Sequence, residues 1–212
     1  LNNGVLHLAN QGVTINEVHN VYRVPESLER QWAARSYHGS VAHNARAVVN
    51  RYLGYWDGNP TTLIPLSPRD SAPLFVEMMG GAAPILAKGR ELVDAGEYLL
   101  ATEILDKLVF ADPADSEARN LLAEAFEQIG YQQESPSVRN SFLAAALELR
   151  SGIPQGVAPN TSGPDLIRAL STGQFLDFLG IRLDPVKAQA AAFVVNLVTP
   201  DNGEKFVVEL SN

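Results

Sequence analysis

Cysteine is absent from the 212 residues, so no disulfide framework, thiolate metal site or cysteine nucleophile can be built from this chain. Long apolar runs are missing as well. No uninterrupted stretch approaches the ~20 residues of a membrane-spanning helix. The opening LNNGVLHLAN lacks the basic-then-apolar order of a secretory leader. It reads instead as a helix already under way, so the chain is expected to begin inside a larger protein. Positive charge is scarce, with 16 Lys+Arg against 24 Asp+Glu and a net charge of −8. The deficit is local: by count, residues 1–75 carry +1, residues 76–152 carry −7 and residues 153–212 carry −2. A duplex binder needs a basic face to displace counterions, so nucleic acid is not expected as a partner.

What is present is ordinary for a folded protein, 46% hydrophobic and 19% charged. Gly12 stops a first helix, and Thr14 with Glu17 has the spacing of a capping box. Pro25 opens "PESLERQWAARSY", predicted to be one helix with Leu28 and Trp32 on its buried face. A further helix is expected from Ser40 to about Leu53, closed by Gly54. The pair "VTINEVHNVYRVPESL" has the rhythm of a helix-turn-helix. Its second helix, however, offers only Arg30 and Arg35 against Glu26 and Glu29, too little to grip a phosphate backbone. Residues 59–73 are dense in proline and turn formers and predict an extended connector with Leu63, Ile64 and Leu66 pinned to a surface, helices resuming near Leu74.

From Ala82 a 34-residue period is visible: Gly89, Gly96, Tyr98, Ala101, Leu108 and Pro113 fall on the positions of a tetratricopeptide unit, and Ala123 with Gly130 begins a second. One and a half such units are fewer than the ~3 that stand alone, so another surface or a second copy is expected to complete them. Ser135-Pro136 reads as a cap followed by a first-turn proline. "SGIPQGVAPNTSG", residues 151–163, marks a domain boundary. Beyond it come two short helices and strands near 192–198 and 204–210, with "PDNG" supplying an Asn-Gly hairpin turn. The predicted class is mainly α, a helical domain over 1–152 with tetratricopeptide-like helix pairs. A truncated α+β segment follows over 153–212, two short helices and a β-hairpin.

Catalytic motifs are sparse. All four histidines lie within the first 43 residues, yet His38 and His43, five apart, sit about 140° apart around a helix and are poorly spaced for one metal. No G-x-S-x-G elbow or phosphate-binding glycine loop occurs. One constellation remains: His43 and Asn44 open a helix whose far end presents Arg51, Tyr52 and Tyr55 before the turn Asp57-Gly58-Asn59-Pro60. A guanidinium fork with hydroxyl and amide donors suits an oxyanion such as sulfate or carboxylate. The alternative is that Tyr52 and Tyr55 are core rings and Arg51 a surface charge.

The wording of "RSYHGSVAHNARAVVNRYLGYWDGNPTTLIPL", "VEMMGGAAPILAKGRELVDAGEYLLATEILDKLVFADPADSEARNLLAEAFEQIGYQQES" and "SFLAAALELRSG" resembles the alkyl sulfatases of the metallo-β-lactamase superfamily over about residues 5–151. Residues 164–212 look like the start of that family's sterol-carrier-like C-terminal domain. The resemblance implies a zinc-binding catalytic domain upstream, a helical dimerisation domain here, with residues 1–58 also packing on the catalytic domain, and a small α/β domain that helps hold hydrophobic substrate. The reaction implied is hydrolysis of alkyl sulfate esters to alcohol and sulfate by water activated between two zinc ions. The zinc ligands, an H-x-H-x-D-H motif with two glutamates and a further histidine, are expected outside this chain, which is then inactive alone. Homodimerisation through about residues 76–150 is expected, with His43, Asn44, Arg51 and Tyr55 facing substrate or sulfate. The competing reading is a tetratricopeptide-like interaction module without catalytic activity.

Overall fold

The computed structural model describes residues 1–156 and 161–211. The chain divides into two compact units, 1–154 and 155–212. The boundary segment expected at 151–163 falls in part on residues 157–160, outside the described residues. Among the described residues no helix is long and apolar enough to cross a membrane.

The first unit is helical throughout: α1 (Asn2–Asn10), α2 (Val18–Val21), α3 (Glu26–Glu29), α4 (Val41–Leu53), α5 (Pro68–Met78), α6 (Ala82–Asp94), α7 (Tyr98–Ala111), α8 (Ser116–Tyr131) and α9 (Pro136–Ser151). It holds two separate hydrophobic clusters. In the larger, Ile85, Leu105, Leu108, Leu121 and Leu122 are buried between α6, α7 and α8. Each such side chain contributes about 2 kcal/mol of transfer free energy. The period seen in the sequence is physical here. Helices α6 and α8 begin 34 residues apart, at Ala82 and Ser116, and small residues mark the crossings. A Cβ on Gly89 would stand 2.7 Å from Cδ2 of Leu105, and one on Gly130 3.0 Å from Cδ2 of Leu143, so each glycine admits the neighbouring helix at close range. Asp115 caps α8 by accepting the Ala118 amide at 3.0 Å.

The smaller cluster joins α1, α2 and α4 through Val5, Ile15, Val18, Ala45 and Val49. Its connections are short and polar. Thr14 donates its amide (3.0 Å) and its hydroxyl (2.7 Å) to Oε2 of Glu17, half of the reciprocal box the spacing predicted, since the hydroxyl donates rather than caps. These two bonds hold the Glu17 carboxyl below its usual range, the amide being the larger influence.

Three expectations are corrected. The helix from Pro25 stops at Glu29, a 3-10 turn takes over at Trp32–Ala34, and Leu28 and Trp32 are exposed, Trp32 by 74%. The physical reason is that, among the described residues, the main packing partner of α3 is that short turn, too small to cover an apolar face. Leu63, Ile64 and Leu66 are likewise exposed rather than pinned, Ile64 by 92%. Helix resumes at Pro68, not Leu74, because Ser67 caps it by accepting the Asp70 amide at 3.2 Å, and Pro73 within the helix costs a single backbone bond.

The second unit carries α10 (Pro164–Ala169), α11 (Thr172–Ile181), α12 (Pro185–Ala188) and an antiparallel hairpin of β1 (Phe193–Thr199) and β2 (Glu204–Leu210). Ser171 and Gln174 form a full capping box on α11. The hairpin pairs Thr199 with Glu204, so residues 200–203 form a four-residue loop rather than a two-residue Asn-Gly turn. Only Gly203 takes a left-handed φ (72°), and Asn202 instead uses its side-chain carbonyl to accept the Glu204 amide at 3.1 Å. The architecture is the mainly helical one expected, followed by a small α+β segment.

Candidate functional site

Helix α4 positions the sequence-predicted residues. It leaves an extended Ser40, buries Ala45 and Val49 against the smaller cluster, and ends at Gly54 with φ 86°. Burying that stripe turns the opposite side outward. Asn44 and Arg51, seven apart, fall on nearly one stripe about 10 Å apart along the axis, with His43 one position round from Asn44. Tyr55 lies beyond the helix end and is 81% exposed, and Tyr52 is also exposed. Neither is a core ring.

The structure brings two of the four candidates together. His43 and Asn44 line a cleft of about 540 Å³ with His38, Gly39 and Ser40 on one wall, and Ser135 with residues of α9, among them Ser141 and Phe142, on the other. Arg51 and Tyr55 are not among its lining. Spacing in the sequence could not have found the far wall. Ser135 and His38 are 97 positions apart, and the α9 residues repeat as Ser137/Ser141 and Val138/Phe142 only once the helix is seen to face α4's entry.

The chemistry of the lining is one-sided. It contains no aspartate or glutamate, and its polar groups are two imidazoles, several serine hydroxyls and an amide. Such groups can donate to an oxyanion, while Val138 and Phe142 offer an apolar wall. Asn44 closes over Gly39, where a Cβ would lie 3.3 Å from Nδ2.

The turn after α4 is anchored by Asp57. Its Oδ1 accepts from Thr62 Oγ1 (2.6 Å) and the Asn59 amide (3.0 Å), and its Oδ2 from Asn16 Nδ2 (2.7 Å). Trp56 Nε1 donates to the Asn59 carbonyl at 3.0 Å. These bonds, the Thr62 hydroxyl foremost, hold the Asp57 carboxyl below its ordinary range. Asp57 therefore ties the turn back to the α1–α2 connection, and its role here is structural.

Among the described residues no three His, Asp or Glu side chains gather as a metal set. His38 and His43 share their cleft with no carboxylate.

Paired helices crossing at small residues, followed by a small hairpin unit, define the class: a repeat-like helical module joined to an α+β segment. The family model described as "Alkyl sulfatase dimerisation" matches residues 14–152, and "Alkyl sulfatase C-terminal" matches residues 160–212. The chain belongs to the alkyl sulfatase family. It is 42% identical over 213 residues to an (R)-specific secondary-alkylsulfatase of Pseudomonas sp, covering 100% of this chain and 32% of that protein. It is also 41% identical over 207 residues to an alkyl/aryl-sulfatase of Saccharomyces cerevisiae, covering 98% and 32%. The solved structure of a stereoselective inverting sec-alkylsulfatase from Pseudomonas sp. superimposes with a TM-score of 0.93 at 40% identity, over 99% of this chain and 33% of that one. The chain thus spans about a third of the length of the curated relatives it matches.

Proposed function

We propose that this chain is the dimerisation and C-terminal part of a zinc-dependent alkyl sulfatase, which hydrolyses alkyl sulfate esters to an alcohol and inorganic sulfate. The observation that carries the reading is similarity along the whole chain, 39–42% identity, to proteins named as primary and secondary alkylsulfatases and an alkyl/aryl-sulfatase. In this reading the zinc pair belongs to polypeptide outside these residues.

Two contributions fall to this chain. The first is self-association. The apolar face of helix α5 is wider than the larger cluster covers: Val76, with Met79 just after the helix, packs on that cluster while Leu74, Phe75 and Met78 are exposed. An exposed apolar stripe of this kind marks an interaction surface, and a symmetric second copy is the occupant that the family's description supports. The second is a substrate surface. The cleft has the size of small-molecule sites, roughly 300–1,000 Å³, and its acid-free lining suits an anionic ester beside an apolar chain. His43 and Asn44 contact substrate from the cleft, with Arg51 and Tyr55 meeting sulfate from the far end of α4. Taken by itself, the hairpin of the second unit exposes Val194, Val198 and Val207.

The test is sulfate release from octyl sulfate by the intact polypeptide. Hydrolysis that a zinc chelator abolishes, from a protein sedimenting as a dimer, is expected, and His43→Ala raises KM. A monomeric protein that releases no sulfate with zinc supplied overturns the reading.

A further inference from the structure

Ser135 is the buried polar side chain of the described core, 3% exposed, and it stands where a helix cap belongs. Its backbone is extended (φ −67°, ψ 120°) and Pro136 follows in the first turn of α9, yet its hydroxyl makes no bond to that turn. A serine in this position ordinarily accepts from the second or third amide of its helix. Here Oγ instead donates to the backbone carbonyl of His38 at 2.9 Å, across 97 positions of sequence. Beside it, Glu134 Oε1 pairs with Arg35 Nη2 at 2.5 Å. These polar contacts join two bodies whose hydrophobic clusters are separate: α9 packs on α8 of the larger cluster, and residues 35–40 lead into α4 of the smaller.

The location gives the clasp its consequence. Five residues beyond the held carbonyl comes His43, then Asn44, and both share the cleft with Ser135 itself. Residues 38–40 enter α4 without a side-chain cap on Ser40, so little local bonding fixes the direction of that entry. We propose that Ser135 is a positioning residue that fixes the entry to α4 and so sets where His43 and Asn44 stand in the cleft, with the Glu134–Arg35 pair as its outer support. The inference rests on the reading that His43 faces substrate. Through it the helical body that pairs with a second copy also sets the geometry of the substrate surface, a link absent from the linear motif.

The experiment uses the intact protein with octyl sulfate, comparing Ser135→Ala, Ser135→Thr and His43→Ala. The Ser135→Ala variant is expected to raise KM about fivefold with kcat within twofold, to move the His43 imidazole resonances in NMR spectra while leaving those of His7 and His19 in place, and to lower the thermal midpoint by roughly 2–6 °C. Ser135→Thr, which retains the hydroxyl, restores KM. If Ser135→Ala fails to fold, Glu134→Gln replaces it and gives the same pattern at smaller amplitude. A KM and His43 spectrum unchanged by these variants, while His43→Ala raises KM, overturns the clasp and leaves the substrate surface standing. No change in KM on His43→Ala overturns the substrate reading and the inference built on it.

Discussion

The two hydrophobic clusters of the helical unit are built on different terms. The larger, across α6, α7 and α8, has long helices, leucines of full burial and small residues at the crossings, so its stability is distributed over many close contacts. The smaller has valines and an alanine on three helices, two of them short, with Ile15 from the turn between the first two, and depends on polar turns around Thr14, Glu17 and Asp57. The candidate residues His43, Asn44 and Arg51 ride on the second, and the clasp proposed for His43 and Asn44 comes from the helices of the first. Sites placed on the less stable part of a fold gain adjustability at the cost of needing an external anchor.

Leu105→Ala strikes the larger cluster hardest. Leu105 is fully buried between two helices, and its truncation is expected to cost about 3–4 kcal/mol in urea unfolding, carrying the whole larger cluster with it. Val49→Ala removes less, about 1–2 kcal/mol, and its effect stays local. Hydrogen exchange should accelerate in α1, α2 and α4 and remain unchanged in α7. Exchange rising equally in both would merge the two clusters into one cooperative body. Gly89→Ala comes next. The added Cβ meets a leucine that has nowhere to go, and a loss of about 1 kcal/mol remains after the helix-propensity gain of alanine.

Acid separates the two clusters further. Asp57 has its pKa lowered in the fold, so its contribution is present above the unfolded carboxylate value and is lost as pH falls through the folded one. Asp57→Asn is therefore expected to lower the melting point at pH 7 and to remove the acid-induced rise of exchange in the turn at 57–62. A smaller effect has the opposite sign. Desolvation raises the pKa of Asp106 on α7, more than Glu103 does and against the pull of Lys107. An acid raised in this way destabilises the fold while ionised, so Asp106→Asn should raise the neutral melting point by about 1 °C, a gain that disappears as pH falls below the unfolded value.

The larger cluster was legible because repetition is a one-dimensional signal. Gly89, Ala101 and Leu108 sit at fixed intervals, and the helices α6 to α8 follow from that interval. In the smaller cluster, caps and stops such as Gly54 were readable, but burial was not. Leu28, Trp32 and Ile64 look like core residues in any pattern count, yet all three are exposed, because a count of apolar residues does not say which element packs over them. Helix α5 was placed too late because Pro73 reads as a breaker until Ser67 is seen capping the turn before it. The cleft was half legible. His43 and Asn44 were marked by local residue type, whereas Ser135 was read as a cap from Ser-Pro grammar that holds for its backbone and fails for its hydroxyl.

If this helical surface is one half of a symmetric pair in a sulfatase, the intact protein must associate through it, and sedimentation equilibrium decides the matter. The expected result is twice the chain mass, falling to the single-chain mass when Leu74 and Met78 on the outer face of α5 are both changed to aspartate. A wild-type protein that sediments at the single-chain mass across the micromolar range contradicts it.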